Sequence, residues 1–302
     1  MSVITTGNNP KLLWPGLNAV WGRDYREHPR EYTDLFDTFT SDKNYEEDVE
    51  ATGFGLAPIA TEGGSTTYDS ESQQTVTRYT HVEYKLGFIV TRAERDDNLY
   101  EKKGVSRTQA LAFSFRQTEE NVAANVYNRA QTAGYTYGDG QVLSSTAHPT
   151  LAGNQSNRLA TAADLSEASL EDLCIQIMNA QNSRGLRIGL MPKKLIIPPA
   201  LAFEAARILK SVNQSGTANN DVNALKVMGS IPEMAINHYM TDTDAFFIRT
   251  NAPQGMKFFR RVATEFGQDG DFDTDNIKYK GYMRFSVGAS DFRGLYTNGM
   301  GA

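Results

Sequence analysis

The chain has 302 residues, 40% of them hydrophobic and 22% charged, with a formal net charge of -6. That balance supports one large domain or two ordinary ones, and it excludes a dedicated nucleic-acid binder, whose affinity comes from clustered lysine and arginine. No apolar run approaches the ~20 residues of a membrane helix, and a single cysteine, Cys174, excludes a disulfide scaffold.

Residues 1–48 read as an irregular arm holding a short amphipathic helix. Trp14-Pro15-Gly16-Leu17 reads as a turn, and Leu17, Val20 and Trp21 recur at helical spacing. Met1–Trp14 show no basic flank followed by an apolar block, so no secretory signal is expected and the chain is expected to be untrimmed. Cys174, set among Leu173, Ile175 and Ile177, reads as a small buried hydrophobe, which fits synthesis in a reducing cytoplasm.

Residues 49–91 read as an extended hairpin around the tip Glu62-Gly63-Gly64, where glycine permits positive φ. Val82, Tyr84, Leu86, Phe88 and Val90 are apolar at strict two-residue spacing, the mark of a half-buried strand. Drawn out from Thr75 to Thr91, the second limb would span on the order of 50 Å. A hairpin of that length is marginal in water, so it needs another surface, and a neighbouring copy of the same chain offers one.

From Gly104 to Ala133 the period changes. Val105, Leu111, Ala112, Phe115, Val122, Ala123, Val126 and Ala130 form one stripe of a long helix closed by Gly134, with Arg107, Arg116, Glu120 and Arg129 on a face open to solvent or a partner. Residues 135–165 form a turn-rich loop. An α/β section follows: a helix capped by Ser166 and ending near Gly185, a buried strand Lys194–Ile197, and a second helix opened by Pro198-Pro199. Asn213–Asp221 form a polar loop, strands are expected over 245–250 and 256–262, and a last long strand runs from Ile277 to Gly288.

Charge is unevenly placed. Between Glu31 and Glu71 there are eleven acids and one base, Lys43, whereas Arg78, Lys85, Arg92, Arg95, Lys102, Lys103, Arg107, Arg116 and Arg129 follow. Such a stretch is either a solvated acidic arm or one that docks on the basic region of the next subunit. On the docking reading, the candidate intersubunit residues are Glu62, Asp69, Glu71, Arg78, Lys102, Lys103, Arg107 and Arg116.

Catalytic and metal motifs are missing from the sequence. It holds no phosphate-binding loop, no His-Glu-x-x-His pair and no Gly-x-Ser-x-Gly elbow. His28, His81, His148 and His238 are scattered and read as structural. Asp269–Asp275 places acids at alternate positions, but a calcium loop counted from Asp271 meets Asn276 and Tyr282 where glycine and glutamate are required. An acidic turn between strands is the better reading. No catalytic, cofactor-binding or metal site is therefore assigned.

Three stretches carry a resemblance: Glu62-Gly63-Gly64 with Arg92–Asp97, the segment Ser144–Pro149 followed by Asn154–Asn157, and the ending Tyr282–Tyr296. With the order of arm, hairpin, spine-like helix, α/β section and closing strand, the chain resembles a tailed-bacteriophage major capsid protein of the Hong Kong 97-type fold. The resemblance implies an α+β subunit with an N-terminal arm (1–48), an extended hairpin loop (49–91), a peripheral domain with the spine helix (92–160), an axial domain (161–275) and a return strand (276–302). It further implies a non-enzymatic shell protein, in the virion, assembled in the bacterial host cytoplasm with copies of itself in pentamers and hexamers. Expected partners are a separate scaffolding protein, a portal, a decoration protein and double-stranded DNA held non-specifically. No lysine lies between Lys43 and Lys85 to crosslink the hairpin tip, so stability is expected to be non-covalent. The alternatives are an encapsulin-like compartment shell and, remotely, a small-molecule hydrolase using Asp291 or His148.

Overall fold

The structure is a computed structural model describing residues 14–27, 29–97, 100–213, 221–271 and 273–300, without the side chains of 14–16, 27, 95 and 100–103. In chain order the elements are α1 (Trp14–Glu27), α2 (Tyr32–Leu35), β1 (Asp37–Thr40), β2 (Tyr45–Ala51), β3 (Gln73–Thr80), β4 (Val82–Val90), α3 (Arg92–Asp96) and α4 (Tyr100–Asn128). There follow β5 (His148–Thr150), β6 (Gly153–Gln155), α5 (Glu167–Met178), β7 (Pro192–Ile197), α6 (Ala202–Lys210), α7 (Ala224–Met228), β8 (Glu233–Ile236), β9 (Phe246–Thr250), β10 (Met256–Gly270), β11 (Ile277–Ala289) and β12 (Leu295–Asn298).

Two four-stranded sheets organise the molecule, one in the order β1-β10-β11-β4 and the other β12-β9-β7-β8. The strand expected to run unbroken from Thr75 to Thr91 is corrected: it divides at His81. Its first half, β3, pairs antiparallel with β2 in a separate two-stranded ribbon, while β4 leaves the hairpin and pairs with β11 from Val82–Phe285 to Val90–Ile277. Alternating side chains reveal a half-buried strand but not its neighbour. The strand expected over 256–262 runs on to Gly270, because the length of β11 offers it a partner throughout. Trp14–Leu17, read as a turn, is the first turn of α1, where proline is tolerated. Helix α5 stops at Met178, short of Gly185; its start is as expected, with Ser166 and Ser169 forming a reciprocal cap. Residues 1–13 of the arm and 214–220 of the polar loop lie outside the described residues.

The sheets also cut across the expected segments. β1 from the arm, β4 from the hairpin and β10 from the α/β section all join one sheet, while β12 joins the other.

Helix α4 lies against the first sheet with its apolar stripe inward. Gly281 of β11 makes this contact close, since a Cβ there would come within 2.3 Å of the Phe115 ring. The helix starts at Tyr100 and ends at Asn128, before the stop expected at Gly134, which at φ 93° turns the chain further on. The main core gathers Trp21, Phe115, Tyr127, Phe258 and Phe285. Trp21 stacks on Phe266 at 5.0 Å and meets Phe115 edge-on at 5.6 Å. A second core, including Leu173, Ile177, Leu195 and Phe246, joins α5 to the second sheet.

The face of α4 assigned to solvent is corrected as well. Arg116 and Glu120 are buried, because α1 and α2 cover that side. Arg116 pairs with Glu119 at 2.8 Å and donates to the Tyr25 carbonyl at 2.9 Å. Arg260 reaches the other oxygen of Glu119 at 2.9 Å, and the Tyr25 hydroxyl donates to Glu119 at 2.7 Å. Glu120 accepts from the backbone N–H of Glu31 (3.1 Å) and of Tyr32 (2.9 Å), which ties the start of α2 to the long helix. Tyr127 donates to the Leu35 carbonyl at 2.6 Å. Truncating one partner of such a buried ion pair strands the other, so Arg116→Met is expected to cost about 3 kcal/mol in denaturant unfolding. A cost under about 1 kcal/mol would mean that the cluster contributes shape alone.

Burial pushes the Glu120 carboxyl up to about 7 from an ordinary 4.5, against the two N–H donors that lower it. The folded chain therefore holds a proton that the unfolded chain has released. Stability is full below about pH 4.5 and declines as pH rises through about 7, a change on the order of 3 kcal/mol. Glu120→Gln is expected to flatten this slope, read as a smaller difference in Tm between pH 5 and pH 8 than the parent shows. An unchanged difference would place the titration elsewhere.

Candidate assembly surfaces

The β2–β3 ribbon is anchored along its length by charges drawn from remote parts of the chain. Asp48 on β2 takes Lys257 of β10 at 2.6 Å, and it also accepts from Ser290, which meets the Tyr79 hydroxyl at 2.5 Å. Glu50 takes Arg293 at 3.2 Å, Ser183 at 2.5 Å and Thr75 at 3.0 Å. At the joint between ribbon and sheet, buried His81 bridges Ser41 (3.1 Å) and Ser286 (2.9 Å). Its burial, and then the Arg284 guanidinium, hold its pKa below the ordinary histidine value.

Beyond the ribbon the chain leaves the ladder. Residues 52–72 form a long loop outside the ribbon, with Phe54, Leu56, Ile59 and Tyr68 between 60% and 100% exposed. Arg184 latches this loop to its own subunit, through Asp69 and through the Ser70 carbonyl. Asp69 accepts from the N–H groups of Gly55 and Ser70, both at 2.8 Å, and from Arg184 at 2.7 Å. Those backbone donors, then Arg184, hold the Asp69 carboxyl below the usual range.

The residues proposed from sequence thus go to different places. Arg78 pairs with Glu47 across the ribbon at 2.6 Å and lies over the Tyr45 ring. Arg107 pairs with Glu94 at 2.9 Å. Arg116 is buried inside the subunit, and the side chains of Lys102 and Lys103 lie outside the described residues. Glu62 and Glu71 are exposed and carry no charged partner among the described residues.

Most of the acidic arm is matched within its own subunit. Glu31 meets His238, Asp34 meets Lys194, and Asp37 meets Arg249, each within 3.0 Å. These partners, with Lys257, Arg184 and Arg293, lie far along the chain rather than in the Arg78–Arg129 stretch. Sequence alone did not single them out, since isolated bases in strands and turns give no local signal.

The two residues considered for hydrolysis sit in fixed networks. His148 bonds Asp139 at 2.5 Å and Asn157 at 3.1 Å, and it stacks on Phe292 at 4.0 Å. Asp291 pairs with Arg293 at 3.1 Å, and burial raises its pKa while that guanidinium lowers it. The cavity beside them holds about 20 Å³, room for a water rather than a substrate. The acidic turn lies between β10 and β11 as expected, its charges partly met by Lys278 on Asp271 and Arg92 on Asp275. Among the described residues, no group of three or more His, Cys, Asp or Glu is arranged to hold a metal ion, and no helix is long and apolar enough to cross a membrane.

Phe203 of α6 and Val227 and Met228 of α7 are also large apolar side chains left 70–82% exposed.

The Asp69–Arg184 pair is exposed, so its removal is expected to leave global stability unchanged within about 1 kcal/mol. Arg184→Ala is expected instead to speed amide hydrogen exchange across residues 53–72. Unaltered exchange would show that the loop is held by its backbone alone.

The fold has counterparts among solved structures. The capsid of the cyanophage P-SCSP1u is 13% identical, with 88% of this chain and 86% of that one covered and a TM-score of 0.55. A chain of Mycobacterium phage Patience is 11% identical over 98% and 88%, with a TM-score of 0.53. A virus-like particle from Pyrococcus furiosus is 13% identical over 93% and 97%, with a TM-score of 0.52. No curated protein matches by sequence. The family model described as phage capsid protein matches residues 74–298, from the outer limb of the ribbon to the last strand. With that match across most of its length, on a mixed sheet-and-helix body of the Hong Kong 97 type, the chain belongs to the phage capsid protein family.

Proposed function

We propose that this subunit builds the icosahedral head of a tailed phage by joining copies of itself into pentamers and hexamers around packaged double-stranded DNA. The exposed apolar loop at residues 52–72 carries the reading, because a subunit that buries its core so fully leaves Phe54, Leu56, Ile59 and Tyr68 outside it. A neighbouring copy is the surface that would cover them. The body formed by α4 with β1, β10, β11 and β4 acts as the peripheral domain. The body of α5–α7 with β7, β8, β9 and β12 acts as the axial domain, and its exposed Phe203, Val227 and Met228 meet around capsomer centres.

A separate scaffolding protein, a portal and a decoration protein complete the partner set, and assembly takes place in the host cytoplasm. The subunit's part in these steps is geometric rather than catalytic. Contact with DNA is weak and independent of sequence, consistent with the net charge of -6. A hairpin without lysine between Lys43 and Lys85 leaves the shell to non-covalent contacts.

The test is negative-stain microscopy with size-exclusion chromatography, on the chain alone and co-expressed with the scaffolding protein of its source phage. Closed shells or ring-shaped capsomers are expected, and a persistent monomer under both conditions would overturn the reading. Empty shells that co-purify with a protein cargo would favour a compartment shell instead. Reversing Glu62 and Glu71 to lysine is expected to lower particle yield severalfold with Tm unchanged. An undiminished yield would remove these two acids from the contact.

A further inference from the structure

The ribbon and the first sheet meet at a single residue. β3 ends at Thr80 in the ribbon and β4 begins at Val82 in the sheet, which leaves His81 as the joint between them. Its side chain is buried, and both ring nitrogens are engaged, Nε2 with Ser41 at 3.1 Å and Nδ1 with Ser286 at 2.9 Å. Ser41 lies in the connection from β1 to β2, and Ser286 lies on β11. One imidazole thus ties the base of the ribbon to the sheet.

The surrounding bonds fix the tautomer. The Ser41 hydroxyl donates its hydrogen to Glu46 on β2 at 2.7 Å and accepts from the Lys43 N–H at 3.2 Å. Toward the imidazole it is therefore an acceptor, and Nε2 carries the ring hydrogen. Nδ1 is then a bare acceptor for the Ser286 hydroxyl, which makes no other hydrogen bond among the described residues. A proton arriving at Nδ1 turns that contact round. The serine must rotate, and its own hydrogen is left without an acceptor in a buried site. The new charge also meets Arg284 of β11, held across the joint by the His81 carbonyl (3.4 Å) and Asn44 (2.6 Å), and Arg261 of β10. Glu46 offsets them, but Lys43 already claims it at 3.2 Å.

We propose that His81 is a proton-operated joint: neutral, it locks the ribbon at one angle to the first sheet, and protonated, it releases the ribbon to move about residues 80–82 while both sheets stay folded. The Ser41 and Ser286 contacts open together, because they converge on one ring. Burial and the two guanidiniums keep the closed ring neutral, so it takes a proton more readily once the joint is open. Opening therefore becomes easier as pH falls below the ordinary histidine value of 6.5. The joint belongs to the single subunit and does not depend on the shell reading.

Hydrogen exchange read by mass spectrometry on the full chain tests this, with amide opening constants compared at pH 7.5 and pH 5.0 after correction for intrinsic exchange. Peptides over 41–50 and 73–82 are expected to open severalfold more at the lower pH, with a ceiling of roughly 30-fold set by a histidine of ordinary pKa. Ordinary carboxylates stay ionised over this range, and Glu120 shifts stability the other way. His81→Gln keeps a donor and an acceptor but cannot take a proton, and it is expected to lose the response. Ser286→Ala is expected to shrink it, because an imidazole freed of that hydroxyl accepts a proton while the joint is closed. No acid response in the parent, or an equal one in His81→Gln, would overturn the proposal. The parent's full response in Ser286→Ala would overturn it too, and that milder variant decides the matter where His81→Gln does not fold.

Discussion

The architecture depends on α4 being covered from two sides. One side is apolar and packs on β11, where Gly281 lets Phe115 approach the sheet. The other is polar and almost as deeply buried, under α1 and α2. Burying charge is costly unless each group finds partners, and here Arg116, Glu119, Arg260, Tyr25 and two backbone N–H groups provide them. The arm is thereby fixed in one register on the long helix, since a helix sliding by one turn would break the whole set together. The arm then delivers β1 to the edge of the first sheet, parallel to the start of β10 from Lys257 to Arg260, on the side opposite β4.

Given that frame, the ribbon is held along its length by contacts with the body. Two strands alone cannot bury an apolar face, and the subunit lends the ribbon a foothold of charges: Lys257 on Asp48 and Arg293 on Glu50. Beyond those contacts Arg184 holds the loop to its own subunit, pairing with Asp69 and donating to the Ser70 carbonyl. Such a pair contributes little. The loop is thus firm where it leaves the body and loosely tethered further out, which lets it exchange an internal contact for an external one at small cost.

Much of this was legible in the chain. The alternation from Val82 to Val90, the Ser166 cap and the period of Leu111, Phe115, Val122 and Val126 each report a local rule, and the structure follows them. What escaped was pairing at a distance. The break at His81 leaves the alternation undisturbed, because both halves are half-buried strands; only the identity of their neighbours, β2 and β11, changes. Arg116 and Glu120 were misassigned for a related reason. Charged residues on a helix face normally mark solvent, and the signal to the contrary lay about ninety residues earlier, where Trp21 and Tyr25 form a stripe of their own on α1. Phe54 and Leu56 give no such signal, since glycine-flanked apolar residues in a loop resemble no regular element.

The loop also has to satisfy two opposed demands. To bind a neighbour it must show large apolar side chains, yet a free subunit doing so is prone to aggregate through them and through its open strand edges. The composition of the loop addresses this locally. Glycine at positions 53, 55, 63 and 64 and proline at 58 keep it out of the ladder in the free chain, so it is not a preformed strand. Glu62 and Glu71, which have no charged partner among the described residues, repel the same loop on another subunit. Loop-to-loop association is thereby disfavoured. On the proposed shell reading, the acids of the loop act as selectors of the contact, and the apolar side chains between them provide the adhesion.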